Sequence, residues 1–140
     1  MEIKIATKEK IETPEIIIRI MREILSMSNE IDQKKEHFWT VGLNVRNQIE
    51  YVELVSLGIL DQSVVHPREV FRFAIMKAVA SIILIHNHPS GDPEPSAPDL
   101  AITDQLCKAG KIMGIEVIDH LILGAQEKYY SFKVEGKIQD

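Results

Sequence analysis

Cysteine is nearly absent from this 140-residue chain: Cys107 stands alone. A single thiol excludes an internal disulfide framework and fits a reducing compartment. Long apolar runs are missing too. The most apolar stretch, Val79 to Ile85, is far below the roughly 20 residues that span a bilayer. The leading segment MEIKIATKEKIE is charged throughout and contains no apolar signal core. Nor is there an excess of positive charge: 16 Lys and Arg stand against 21 Asp and Glu, a formal net of −5. Lys and Arg are scattered and never exceed two in a row. Short of a local basic patch, nothing supplies the phosphate neutralisation from which nucleic-acid binding draws most of its affinity. The expectation is a soluble, cytoplasmic protein with no membrane segment.

What is present is a globular balance, 45% hydrophobic and 26% charged, in a chain of the size of one compact domain with an arm. Residues 1–36 read as the arm. Thr13-Pro14 starts a helix, with Thr as the cap and Pro in the first turn, where its missing N–H costs nothing. Ile16, Ile17, Ile20, Met21, Ile24 and Leu25 recur at helical spacing and make one apolar stripe. That stripe packs either on the main domain or on a second copy of the chain, as a homodimer. The polar run Ser26 to Glu36 reads as a linker.

Residues 37–140 form the main domain. Trp39, Val41, Leu43 and Val45 alternate as a half-buried strand requires, and Arg46-Asn47-Gln48 is a short turn. In the next strand Ile49, Tyr51, Glu53 and Val55 share one parity. Glu53 therefore lies in line with an apolar face, an expensive place for a carboxylate without a partner. His66-Pro67 opens a second helix, whose stripe is Val70, Phe71, Ala74, Ile75, Ala78 and Val79. The apolar, β-branched run Ser81 to Ile85 marks a central strand buried on both faces. A stiff segment, HNHPSGDPEPSAPD, follows it and holds four of the six prolines. A third helix spans about Ala97 to Met113 and stops at Gly114. Ile115 to Leu123 and Lys128 to Val134 complete the strands. The order β-β-α-β-α-β-β predicts an α/β (α+β) fold, a mixed sheet with helices packed on it.

The chemistry is concentrated where the central strand ends. His86 and His88 are two apart, so their side chains project to one side, and two imidazoles at this spacing can reach one metal ion. Asp99, eleven positions after His88 at the start of a helix, is a candidate third ligand. Two His and one Asp leave a tetrahedral zinc site with an open position, the hallmark of a catalytic rather than a structural ion. Water in that position would have its pKa lowered to about 7. Each part also has a plainer reading. Ser96-x-x-Asp99 is a capping box without any metal, and Glu53 could be half of a salt bridge.

Taken together, Glu53, His86-Asn87-His88-Pro89 and Ser96-x-x-Asp99 resemble the JAMM, or MPN-plus, metallopeptidase motif: Glu, then H-x-H, seven residues, Ser, two residues, Asp. His66-Pro67-Arg68-Glu69-Val70, the wording HNHPSGDPEPS and Gly114-Ile115 with Asp119-His120 and Gly124 resemble the RadC-like branch of that JAB/MPN superfamily. The resemblance covers Trp39 to the C-terminus. It implies a curved mixed sheet flanked by helices, similar to the cytidine-deaminase arrangement. It also implies one Zn2+ held by His86, His88 and Asp99, Glu53 as general base and Ser96 as a stabiliser of the tetrahedral intermediate. The reaction it implies is hydrolysis of an amide bond in a peptide or protein substrate.

A different class of function is a DNA-associated accessory protein, in repair or recombination, with a structural or vestigial metal. Full-length RadC-type chains carry a helix-hairpin-helix region. The first 36 residues here hold seven basic side chains against eight acidic ones and no Gly-rich hairpin, so they lend DNA binding no support. Around the motif, Asn87 either orients the loop or is solvated. Asp119 and His120 are either a pair orienting a metal ligand or a satisfied core pair. Cys107 reads as a small core residue, His66 as a helix-start residue and His37 as an exposed strand residue.

Overall fold

In the computed structural model, which describes residues 1–58, 60 and 65–138, the chain runs β1 (Glu2–Ile3), α1 (Pro14–Ser26), α2 (Glu30–Gln33), β2 (His37–Leu43), β3 (Ile49–Leu57), α3 (Pro67–Val70), α4 (Arg72–Met76), β4 (Ser81–Asn87), α5 (Ala97–Met113), β5 (Glu116–Leu123) and β6 (Tyr129–Ser131). Residues 59, 61–64 and 139–140 of the expected 37–140 domain lie outside the described residues. The strands form one mixed sheet in the order β1-β3-β2-β4-β5-β6. Only β4 and β5 run parallel, joined through α5, as a parallel pair requires a crossover.

The run SIILI becomes the middle of the sheet because it has no polar side to offer solvent after Ser81. Every residue of β4 is buried, and β4 is flanked by β2 on one side and β5 on the other. Alternate residues then feed two cores. Ile83 and Ile85 join Trp39, Val41, Leu43, Leu121 and Leu123 under α1, while Ile82 and Leu84 join Phe38, Val70, Phe71, Ile102 and Leu106 under α3, α4 and α5. Each such side chain, fully buried, contributes roughly 1.5–3 kcal/mol. The result is the mixed sheet flanked by helices that the element order predicts.

The α1 stripe is spent on this sheet. Ile17, Ile18, Ile20 and Met21 are buried among the β2 and β4 side chains. Arg22 ties the helix to the far edge, donating to the carbonyls of Gly124 and Lys128. The segment read as a linker contains the single turn α2, capped by Asn29, whose Oδ1 accepts the Asp32 N–H at 2.8 Å. Strand β1 pairs with β3 at Glu2↔Glu53 and Ile3↔Val52; two residues in a charged segment carry no periodic signal.

Three expectations are corrected. Strand β2 is buried on both faces, not half-buried. Its second face holds Phe38, Thr40 and Gly42, positions out of phase with the Trp39, Val41 and Leu43 stripe that read as solvent-facing but lie under helices. Val45 falls in the turn and is exposed. The single helix expected from Pro67 is broken into α3 and α4 at Phe71 (φ −94°, ψ −1°). The break lets Val70, Phe71 and Ala74 all reach the core and leaves Ile75 outside it. The closing strand shrinks to Tyr129–Ser131, after which the chain turns and buries Phe132. Helix α5 and its left-handed Gly114 cap (φ 72°) stand as expected. Among the described residues no helix is long and apolar enough to cross a membrane.

Gly42 faces Tyr51 across β2 and β3, and a methyl group there would fall inside the Tyr51 ring. The ring is itself buried and cannot swing into solvent. Gly42→Ala should therefore cost about 1–3 kcal/mol, the usual penalty for overpacking a filled core. Urea unfolding would show it as a lower midpoint at unchanged slope; an unmoved midpoint would mean that the ring has room to slide.

Candidate metal centre

Three residues from one strand end and one helix start converge. His86 is the sixth residue of β4, facing the α5 side of the sheet. His88 lies just past the strand, its N–H donating to the Leu123 carbonyl at 2.9 Å. Asp99 is the third residue of α5. His86 Nε2 and His88 Nε2 are 2.9 Å apart, His88 Nε2 is 3.1 Å from Asp99 Oδ2, and His86 Nε2 is 3.3 Å from Asp99 Oδ1. Donor atoms bound tetrahedrally at about 2.0–2.1 Å from a zinc ion lie about 3.3 Å from one another, so the spacing fits a shared divalent ion. The donor set fits as well, being two imidazoles and one carboxylate. Among the described residues these three form the group placed to hold a metal ion.

The other ring nitrogens are taken. His88 Nδ1 lies 2.8 Å from the Asp92 carbonyl. His86 Nδ1 lies 2.8 Å from His120 Nε2. Such contacts fix ring orientation, leaving both Nε2 atoms turned inward. The loop that supplies the Asp92 carbonyl is braced where Gly91 (φ +94°) accepts the Ala125 N–H at 2.8 Å. A side chain on Gly124 would collide with the Gly91 carbonyl and Pro93, so glycine there lets the β5–β6 turn close on the loop.

The capping box and the ligand role are not alternatives. Ser96 Oγ accepts the Asp99 N–H at 3.2 Å, and Asp99 Oδ2 accepts the Ser96 N–H at 2.9 Å while still facing His88. Asp99 does not turn outward to reach the imidazoles; one orientation serves both. Burial, at 4% exposure, would raise its carboxyl. The His88 imidazole and the Ser96 N–H outweigh burial and hold it well below the usual carboxylate range. The same contact with Asp99, set against burial, raises the His88 imidazole. Complete burial drives His120 the other way, well below its ordinary range.

Glu53 stands apart from these three. Its register partner is Thr40, whose partner on β4 is Leu84, so Glu53 shares the face of His86 but sits two strands away. It is 2% exposed. Oε2 is 3.3 Å from Arg72 Nη2, and Oε1 has no partner among the described residues. Burial pushes its carboxyl up, against the pull of the Met1 amine and Arg72. The Ser96 side chain is exposed beside the centre.

Several neighbours emerge only in three dimensions. Asp119 and His120 divide the two roles that the sequence leaves open. His120 faces His86, while Asp119 points to the opposite face and binds Ser131 Oγ at 2.6 Å and the Lys133 N–H at 3.0 Å. Asn87 is buried, accepting the His37 N–H at 2.6 Å and donating to the Lys35 carbonyl at 3.1 Å, so it anchors the strand between the two histidines. His37 is not exposed: at 2% exposure it stacks on Trp39 with ring centroids 4.9 Å apart. Thr103, one turn after Asp99, touches His120. Its spacing of four from Asp99 was the available signal, but a threonine in a helix carries no chemical signature by itself.

The RadC-like JAB domain family matches residues 11–137 of the chain. A UPF0758 protein of Methanosarcina mazei is 45% identical over 132 residues, which cover 94% of this chain and 55% of that protein. UPF0758 proteins of Desulforamulus reducens and Desulforudis audaxviator are 47% and 52% identical over 125 and 102 residues, covering 88% and 73% of this chain and 55% and 44% of theirs. The chain spans about half the length of the curated relatives it matches. With the family matched across nearly all of the sheet and the whole of the histidine–aspartate centre, this chain belongs to the RadC-like JAB domain family.

Proposed function

We propose that the protein is a zinc-dependent hydrolase that cleaves an amide bond, peptide or isopeptide, in a peptide or protein substrate. The observation that carries this reading is the convergence of His86 Nε2, His88 Nε2 and the Asp99 carboxylate within 2.9–3.3 Å of one another, with both Nδ1 atoms engaged elsewhere. A zinc ion held there by His86, His88 and Asp99 would supply carbonyl polarisation and hydroxide at neutral pH. Glu53 is the proton carrier in this reading. Arg72 holds Oε2, which leaves Oε1 bare to accept a proton from the attacking water and pass it to the leaving amine. A carboxyl raised by burial keeps a received proton more readily than an exposed one. Ser96 Oγ uses a lone pair to accept the Asp99 N–H, so its own proton remains to be donated to a developing oxyanion, a contact worth about 3 kcal/mol when well placed.

Metal analysis tests the centre first. The purified chain should carry one zinc ion, and His88→Ala should lose it; stoichiometric zinc retained in that variant would sink the proposal. Cleavage of a pool of unstructured peptides and lysine-linked isopeptides should be abolished by chelation, restored by zinc, and lowered about 100- to 10,000-fold by Glu53→Gln.

The Glu53 carboxyl also sets a stability test that is independent of substrate. Its proton affinity is raised by burial above the ordinary value of 4.5, so the folded chain holds that proton more tightly than the unfolded one. The resulting stability is fully present below about pH 4.5 and is lost as pH rises through the raised value. In chelator-treated protein, Glu53→Gln should melt higher than wild type at pH 7, with the gap closing toward pH 4.5. A lower melting temperature for the variant at pH 7 would show that the contact with Arg72 outweighs burial.

A further inference from the structure

A chain of hydrogen bonds of fixed direction runs behind His86. Thr103 Oγ1 lies 2.7 Å from the Asp99 carbonyl oxygen and 2.6 Å from His120 Nδ1. A carbonyl oxygen can only accept, so the single hydroxyl proton is committed to it. The hydroxyl oxygen must then accept from His120 Nδ1–H. The His120 ring is fully buried against Phe38 and Phe132, and among the described residues no carboxylate hydrogen-bonds to it. It is therefore neutral, with one proton, and that proton is on Nδ1. His120 Nε2 is left as an acceptor 2.8 Å from His86 Nδ1, so His86 carries its own proton on Nδ1 and presents a bare Nε2 to His88 and Asp99.

We infer that His120 and Thr103 are positioning residues that lock His86 in the one tautomer able to bind a metal ion through Nε2. The opposite direction of donation would leave a proton on His86 Nε2, pointed at the other ligands, and remove it from the donor set. The chain closes on itself. The Asp99 main-chain carbonyl fixes its direction, and the Asp99 side chain is 3.3 Å from the nitrogen that the chain leaves bare. Helix geometry makes this possible, because Asp99 and Thr103 are four apart and share one face of α5.

This inference rests on the metal-centre reading but has a readout that does not. In the metal-free chain, long-range proton–nitrogen spectra of the histidine rings report which nitrogen is protonated. Wild type and Thr103→Ser should show His86 protonated on Nδ1, and Thr103→Val should lose that preference. In competition with a chromophoric chelator, Thr103→Val should bind zinc about 10- to 100-fold more weakly, and Thr103→Ser should restore affinity. A wild-type His86 protonated on Nε2 overturns the inference, and that spectrum decides it even if Thr103→Val fails to fold. So does a Thr103→Val variant that melts like wild type, keeps the Nδ1 proton and binds zinc undiminished. A wild-type chain that binds no zinc would overturn the metal-centre reading instead, with the tautomer still readable.

Discussion

The Asp99 carboxylate is nearly sealed from solvent, and most of the local structure answers to that one charge. Moving an ion of this size out of water costs several kcal/mol even after relaxation, so the charge persists only where donors surround it. The fold supplies three kinds. The N-terminus of α5 presents its positive end, the Ser96 N–H closes the capping box, and the His88 imidazole faces Oδ2 from the outer side. Each imidazole needs its own partner behind it, His120 for His86 and the Asp92 carbonyl for His88. The demand for satisfied donors thus spreads outward to α5, to β5 and to the loop after β4.

Rigidity follows from where those partners sit. Strand β4 is hydrogen-bonded on both edges and buried on both faces, so His86 has no freedom to drift. His88, just beyond the strand, would be looser. Its backbone is pinned to Leu123, and its ring to a loop held against the β5–β6 turn by the Gly91–Ala125 hydrogen bond. Prolines before and after Asp92 stiffen that loop from within. A mobile connection could not offer a carbonyl at a constant distance, which accounts physically for a loop so poor in conformational freedom.

Legibility in the sequence followed the strength of local signals. Strand β4 and helix α5 were readable because one is uniformly apolar and the other has a capping box at its start and a left-handed glycine at its end. The convergence of His86, His88 and Asp99, a group that could hold a metal ion, was anticipated by their spacing. Burial of Thr40 and Gly42 was not, because polar and small residues in an alternating pattern look like a wet face until a helix is known to cover them. The break at Phe71 was hidden for the opposite reason: a clean apolar stripe continues through it, and only the competing needs of Val70, Phe71 and Ala74 for the same core expose it. Thr103 and His120 lie seventeen positions apart and meet through tertiary structure alone, so no window of sequence could join them.

Two buried carboxylates on one face of the sheet are treated in opposite ways, and this bears on the division of labour in the proposed reaction. Asp99 is wrapped in donors and held ionised; Glu53 keeps one oxygen without a partner among the described residues, and burial raises it. Were both simply structural, there would be little reason to satisfy one completely and leave the other half-satisfied at a cost in stability. The asymmetry has a direct chemical use, since a ligand must stay anionic through a reaction while a proton carrier must change state during it. Environments that push the proton affinities of two like groups apart are how such roles are separated within one site. The sheet register supplies the separation here: two strands of distance let Arg72 act on Glu53 while the α5 N-terminus acts on Asp99.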